Sequence, residues 1–200
     1  MSLVSVLHDL VCADARLSPT NDNELHLIET DASASLRKVI LALGNKDRSA
    51  CVALDFQVKA GTKKKSSCLS EVLNPECQHP LRAACDALLC IEREGVCHLI
   101  RIELKSGDDT KRAIGQLRNS RCFSRLLREL ADHWYGIKQP YQEWFVLLTS
   151  GKKSAIKRRK TSVSPDSFAP METPSKDPTS RTIFSLQNED RIHVGKFFQS

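Results

Sequence analysis

The stretch "DALLCIEREGVCHLIRIELK", residues 86–105, decides how this chain is read. Two apolar, strand-like runs flank Glu94-Gly95, which predicts a tight β-hairpin. Side chains of a strand alternate between two faces, so Glu103 and Lys105 share one face and Ile100, Ile102 and Leu104 the other. His98 falls with the second set. Counting outward from the turn places Asp86 opposite Glu103. Two carboxylates and an ammonium therefore converge at one end of the hairpin. Burying such charges is costly unless they pair or hold a ligand.

Facing carboxylates repel unless a cation or a proton lies between them. Their oxygens suit Mg²⁺ or Mn²⁺, with water and phosphate completing the coordination. A dication there would lower the pKa of a bound water and stabilise charge on an attacked phosphate. Lys105 would steady that water or the developing charge. The plain structural alternative is an exposed strand-end ion pair, which is common and contributes little.

Around the hairpin, residues 1–17 and 33–44 read as helices. In "SLRKVILALG", Leu36, Val39, Ile40 and Leu43 share a helical face and Gly44 supplies a stop. "ACVALDFQV", 50–58, reads as a strand, "KAGTKKKSS" as a loop and "CLSEVLN" as a short helix. After "SGDD", Asp108, Asp109 or Thr110 caps a helix that begins at Lys111 and buries Ala113, Ile114 and Leu117. Phe123, Leu126, Leu127 and Leu130 form a rotated apolar set, which predicts a bend near Asn119-Ser120. "EWFVLLTS", 143–150, is an apolar run typical of a strand buried on both faces. "RTIFSL" and "RIHVGKFF" read as a closing strand pair.

The expected fold class is α/β, a sandwich with a mainly β central sheet flanked by helices. Residues 1–150 form the domain core, 151–180 a basic and then Ser/Pro-rich linker or insertion, and 181–200 the closing strands.

Asp86, the hairpin, Glu103-x-Lys105, a capped helix and Gln116 in "AIGQLRNS" occur in that order. This set resembles the PD-(D/E)xK superfamily of restriction-endonuclease-like nucleases over about residues 71–150. The resemblance implies a three-layer fold with a central mixed sheet between helices, and a Mg²⁺- or Mn²⁺-dependent endonuclease acting on DNA. It makes Asp86 and Glu103 metal ligands, Lys105 the catalytic lysine and Gln116 a residue that orients substrate or water. An upstream acid often completes such sites. Glu71 is the candidate, with Glu24 and Glu29 behind it. Cys85 stands where the motif's name has proline. A non-catalytic nucleic-acid or protein-binding module on the same fold is the rival, and an RNA nuclease a third reading. A homodimer or a partner protein fits the resemblance.

On a helical wheel Lys111, Arg118, Arg121, Arg125 and Arg128 lie within about a quarter turn. Such a stripe can track a phosphate backbone. Lys63, Lys64 and Lys65 make a smaller basic patch. The formal net charge is +6. Lys152, Lys153, Lys157, Arg158, Arg159 and Lys160 account for all of it, so the remainder is formally neutral and local patches would have to hold a polyanion. That basic run reads as a DNA-binding arm or a nuclear import signal. No zinc-finger, helix-turn-helix or RNA-binding aromatic motif appears. Trp134, Tyr135, Tyr141 and Trp144 read as core or subunit-interface anchors.

No window is apolar enough for a membrane span, and the N-terminus carries no basic flank, so neither an anchor nor a signal peptide is expected. An intracellular setting follows, cytoplasmic or nucleoid-associated, or nuclear in a eukaryotic host. The 8 cysteines are then expected as buried reduced thiols. Cys68, Cys77, His79 and Cys85 cluster without the two-to-four-residue spacing usual for structural zinc.

Overall fold

The computed structural model describes residues 1–29, 33–44, 48–54, 83–106, 110–150, 182–187 and 189–198. Helix α1 (Leu3–Leu10) opens the chain. Ser2 caps it by accepting the Ser5 N–H, while the Ser5 hydroxyl accepts the Ser2 N–H at 3.0 Å. The helix expected over 1–17 stops there. A 3-10 turn (Ala13–Ala15) follows, and Arg16–Leu17 forms strand β1 against Val52 and Cys51.

Strand β2 (Glu24–Ile28) pairs antiparallel with β3 (Lys38–Ala42). The helix expected at 33–44 is thus corrected to a strand. Val39 and Leu41 are buried while Lys38 and Ile40 are half-buried, a period of two. "KVILA" satisfies both periodicities, and β-branched Val39 and Ile40 gain most as strand residues with partners on both sides.

Strand β4 (Arg48–Ala53) pairs antiparallel with β5 (Ala87–Arg93), and β5 with β6 (Val96–Lys105). Between β5 and β6, Glu94 and Gly95 take φ of 52° and 79°, the two positive values a two-residue reversal needs. Gly95 meets that requirement without a Cβ penalty. Helix α2 (Thr110–Tyr135) and β7 (Tyr141–Thr149) come next, with β7 parallel to β6.

Helix α2 runs without a break through Asn119-Ser120, the site of the expected bend. Ala113, Leu117, Ser120, Ser124, Leu127 and Ala131 are buried and recur every three or four residues. The two serines complete a single stripe that the large apolar residues alone leave gapped.

Strand β8 (Thr182–Ser185) adds parallel to β7, whereas β9 (Arg191–His193) adds parallel to β3. The expected closing pair therefore does not pair with itself. Each member extends a different sheet, giving the orders β1-β4-β5-β6-β7-β8 and β2-β3-β9.

Both faces of the large sheet are covered. On one, α1 and α2 pack Leu7, Leu117, Phe123 and Leu127 over Leu88, Leu99 and Phe145. On the other, the small sheet packs Leu25, Leu27, Val39 and Leu41, with Phe197 from a closing 3-10 turn (Val194–Phe198), over Leu89, Ile100, Ile102 and Leu148. The layers are helix, sheet, sheet. The mixed α/β class matches expectation, but one flanking layer is a sheet rather than helices. Each fully buried Leu or Ile contributes about 1.5–3 kcal/mol, so both interfaces are substantial.

The expected loop at 59–67, short helix near 68–74 and segment 151–180 lie outside the described residues. No helix among the described residues is long and apolar enough to cross a membrane.

The described cysteines are Cys12, Cys51, Cys85, Cys90, Cys97 and Cys122, all free thiols. Burial pushes the Cys51 thiol up to about 12. It raises Cys85 and Cys90 as well, with the nearby Glu103 adding to the effect at Cys85 and the Cys97 thiol at Cys90. An unfolded thiol ionises near pH 9, so above that pH the unfolded chain binds fewer protons and stability must fall. Each buried thiol subtracts about 1.4 kcal/mol per pH unit from pH 9 toward its folded value. Denaturant midpoints measured from pH 8 to 11 are expected to decline steeply above 9. A flat profile would contradict the burial. Cys12 and Cys122 are exposed and should react with maleimide in the native state far faster than Cys51.

Candidate active site

The β5–β6 register ends with Ala87 opposite Ile102, and one further step brings Asp86 opposite Glu103. Both lie on the face covered by α2, with Leu88 and Leu99, while Ile100, Ile102 and Leu104 line the opposite core. Glu103 is fully buried. Its Oε1 pairs with Lys105 Nζ, whose side chain is 18% exposed. Lys105 is thus the member of the pair that solvent reaches. Asp86 Oδ2 accepts the backbone N–H of Leu104, which ties the acid to the strand carrying Glu103.

Helix α2 holds the segment entering β5 through three successive contacts. Gln116 Nε2 donates to the Ala84 carbonyl and Asn119 Nδ2 to the Ala83 carbonyl, each at 2.9 Å. The Cys85 N–H donates to Ser120 Oγ at 2.7 Å. Gln116 therefore sits beside the Asp86 segment. Its buried Oε1 has no hydrogen-bond partner among the described residues. A buried acceptor left in that state costs about 1–3 kcal/mol unless a water or ligand supplies a donor or cation.

The sequence reading missed a second charged group on the same face. Arg101, fully buried, donates to Glu143 Oε1 and Ser124 Oγ and lies 4.9 Å from the Phe145 ring centroid. Arg121 Nε donates to Glu143 Oε2 at 2.9 Å. Burial lowers the Arg101 pKa, and the Glu143 carboxylate opposes that shift. The alternation that groups Glu103 with Lys105 also includes Arg101, so the signal was present.

The basic stripe divides. Arg118 and Arg125 are exposed. Arg121 turns inward to Glu143, and Arg128 pairs with Glu129 and lies 4.2 Å from the Tyr141 ring centroid. The side chain of Lys111 lies outside the described residues, as do Lys63, Lys64, Lys65 and Glu71.

Glu24, the fallback upstream acid, is removed from the site. It lies on β2 of the small sheet with Arg191 Nε at 2.5 Å. Glu29 follows the same strand. Trp144 is core, its Nε1–H donating to His98 Nδ1 at 3.1 Å, whereas Trp134 is 70% exposed. The expected aromatic anchors therefore separate.

Asp86, Glu103 and Gln116 offer oxygen atoms, with the Lys105 ammonium paired to Glu103, and oxygen ligands suit a hard dication better than zinc. Among the described residues no group of three or more His, Cys, Asp or Glu side chains could hold a metal ion. Mg²⁺ keeps several waters and takes only one or two carboxylates, so two acids are a sufficient number by chemistry. Comparison with protein-family models, curated proteins and solved structures gives no significant match.

Proposed function

We propose that this chain is a Mg²⁺- or Mn²⁺-dependent endonuclease that hydrolyses phosphodiester bonds of DNA at Asp86, Glu103 and Lys105. The observation that carries the reading is the ion pair between fully buried Glu103 and partly exposed Lys105, on the face and at the strand end that Asp86 shares. Asp86 and Glu103 would hold the dication, which supplies an activated water and positive charge at the attacked phosphate. Lys105, reachable from solvent, would donate to a phosphate oxygen as charge develops there. The uncommitted Gln116 oxygen would accept from the attacking water. Exposed Arg118 and Arg125 would contact the flanking backbone. The fold reading that accompanies this proposal is a restriction-endonuclease-like variant in which a second sheet replaces one helical layer.

The test is nicking of supercoiled plasmid with Mg²⁺ or Mn²⁺, with an RNA of matched length offered in the same assay. Preferential cleavage of the RNA would reassign the substrate. One observation favours the rival, a non-catalytic binding module. Asp86, Glu103 and Glu143 face Lys105, Arg101 and Arg121, so the face is charge-balanced with no added ion. Titration calorimetry with Mn²⁺ separates the two readings, since absence of heat dependent on Asp86 favours the rival.

A further inference from the structure

The Arg101 cluster is an expensive way to hold a helix on a sheet. A buried ion pair is often no more stabilising than apolar side chains of the same volume. Arg101 also leaves Nε and Nη1 buried without hydrogen-bond partners among the described residues. Stability therefore does not account for a guanidinium two residues from Glu103.

Its contacts suggest what does. Arg101 and Arg121 grip Glu143 of β7 from β6 and α2, and Arg101 also holds Ser124 of α2. Ser124 Oγ donates to the Arg121 carbonyl, and Ser120 Oγ donates to the Gln116 carbonyl at 2.8 Å. One and two turns back along the same helix, Ser120, Asn119 and Gln116 hold residues 83–85. Two sets of bonds, joined by the backbone of α2, link the strand bearing Glu103 to the segment bearing Asp86. Directional ion pairs and hydrogen bonds add to apolar packing a constraint on where along its axis the helix sits.

We propose that Arg101 is a positioning residue for Asp86, acting through α2 to set where that carboxylate stands relative to Glu103. The functional meaning rests on the metal-site reading above, while the mechanical link stands on the contacts alone. Arg101→Met suits the test because Glu143 keeps Arg121 as a partner. Fully buried Cys85, beside Asp86, reports opening of the held segment, and Cys51 in the opposite core reports general loosening.

Native full-length chain is pulsed with N-ethylmaleimide and each cysteine is quantified by peptide mass spectrometry. Arg101→Met should label Cys85 about tenfold faster, with Cys51 changed less than about twofold. Ser120→Ala, which removes the final contact, should do the same. Arg101→Lys, which keeps the charge without the fork, should fall between, and it stands in if Arg101→Met fails to fold. Cys85 and Cys51 accelerating together, or neither changing, would overturn the link. Mn²⁺ affinity is expected to weaken about tenfold in Arg101→Met, and an unchanged affinity would overturn the positioning role. If wild-type chain shows no Glu103-dependent Mn²⁺ binding, the metal-site reading fails, and the Cys85 measurement still decides the link.

Discussion

Glu103→Gln is expected to cut metal-dependent plasmid nicking by roughly three orders of magnitude and to remove most Mn²⁺ binding. The substitution preserves shape and deletes one charge at a fully buried position. Lys105→Ala should lose comparable activity while binding Mn²⁺ at least as tightly, because it removes a competing cation without removing a ligand. That split is the informative result. If wild type and both variants nick equally, the activity belongs to a contaminant. If both variants lose Mn²⁺ binding together, Lys105 supports the site only structurally. Both comparisons are made under conditions where circular dichroism shows the variants folded.

The second large effect concerns stability. Glu143→Gln leaves the Arg101 cation buried without the carboxylate it pairs with among the described residues. Removing one partner of a buried pair costs about 3–5 kcal/mol, which lowers Tm by roughly 6–20 °C in a chain of this size. Replacing Arg101 and Glu143 together by Met and Leu should cost markedly less, since the fully buried cation is then gone and Arg121, which loses Glu143 too, is 14% exposed and reaches solvent. Calorimetric scans of the two variants decide it. A double replacement as damaging as Glu143→Gln would mean that packing shape, rather than uncompensated charge, sets the cost.

The hairpin was legible because two independent signals agreed on it. Glu94-Gly95 marked the reversal, and alternation on either side fixed the faces, so the Asp86–Glu103 pairing and the Glu103–Lys105 contact could be counted from sequence. "KVILA" was not legible, because a short apolar run satisfies both periods and only its strand partners, one of them about 150 residues away, resolve the choice. The continuity of α2 was hidden by Ser120 and Ser124, polar residues that count as surface until their buried partners are known. Alternation placed Arg101 on the face of Glu103 and Lys105, but not its burial or its partner. A charge on a strand is read as solvent-facing, and only the arrival of Glu143 from β7 makes its burial tolerable.

The pairing of β3 with β9 brings residues 40–42 against 191–193. During synthesis on the ribosome, β2 and β3 emerge early and must wait through some 150 further codons for their last neighbour. The β3 edge that receives β9 stays unpaired meanwhile, and the small sheet is complete only once Arg191–His193 has cleared the exit tunnel. Truncations just short of that point should therefore accumulate as chaperone clients rather than as slightly shorter versions of the same protein.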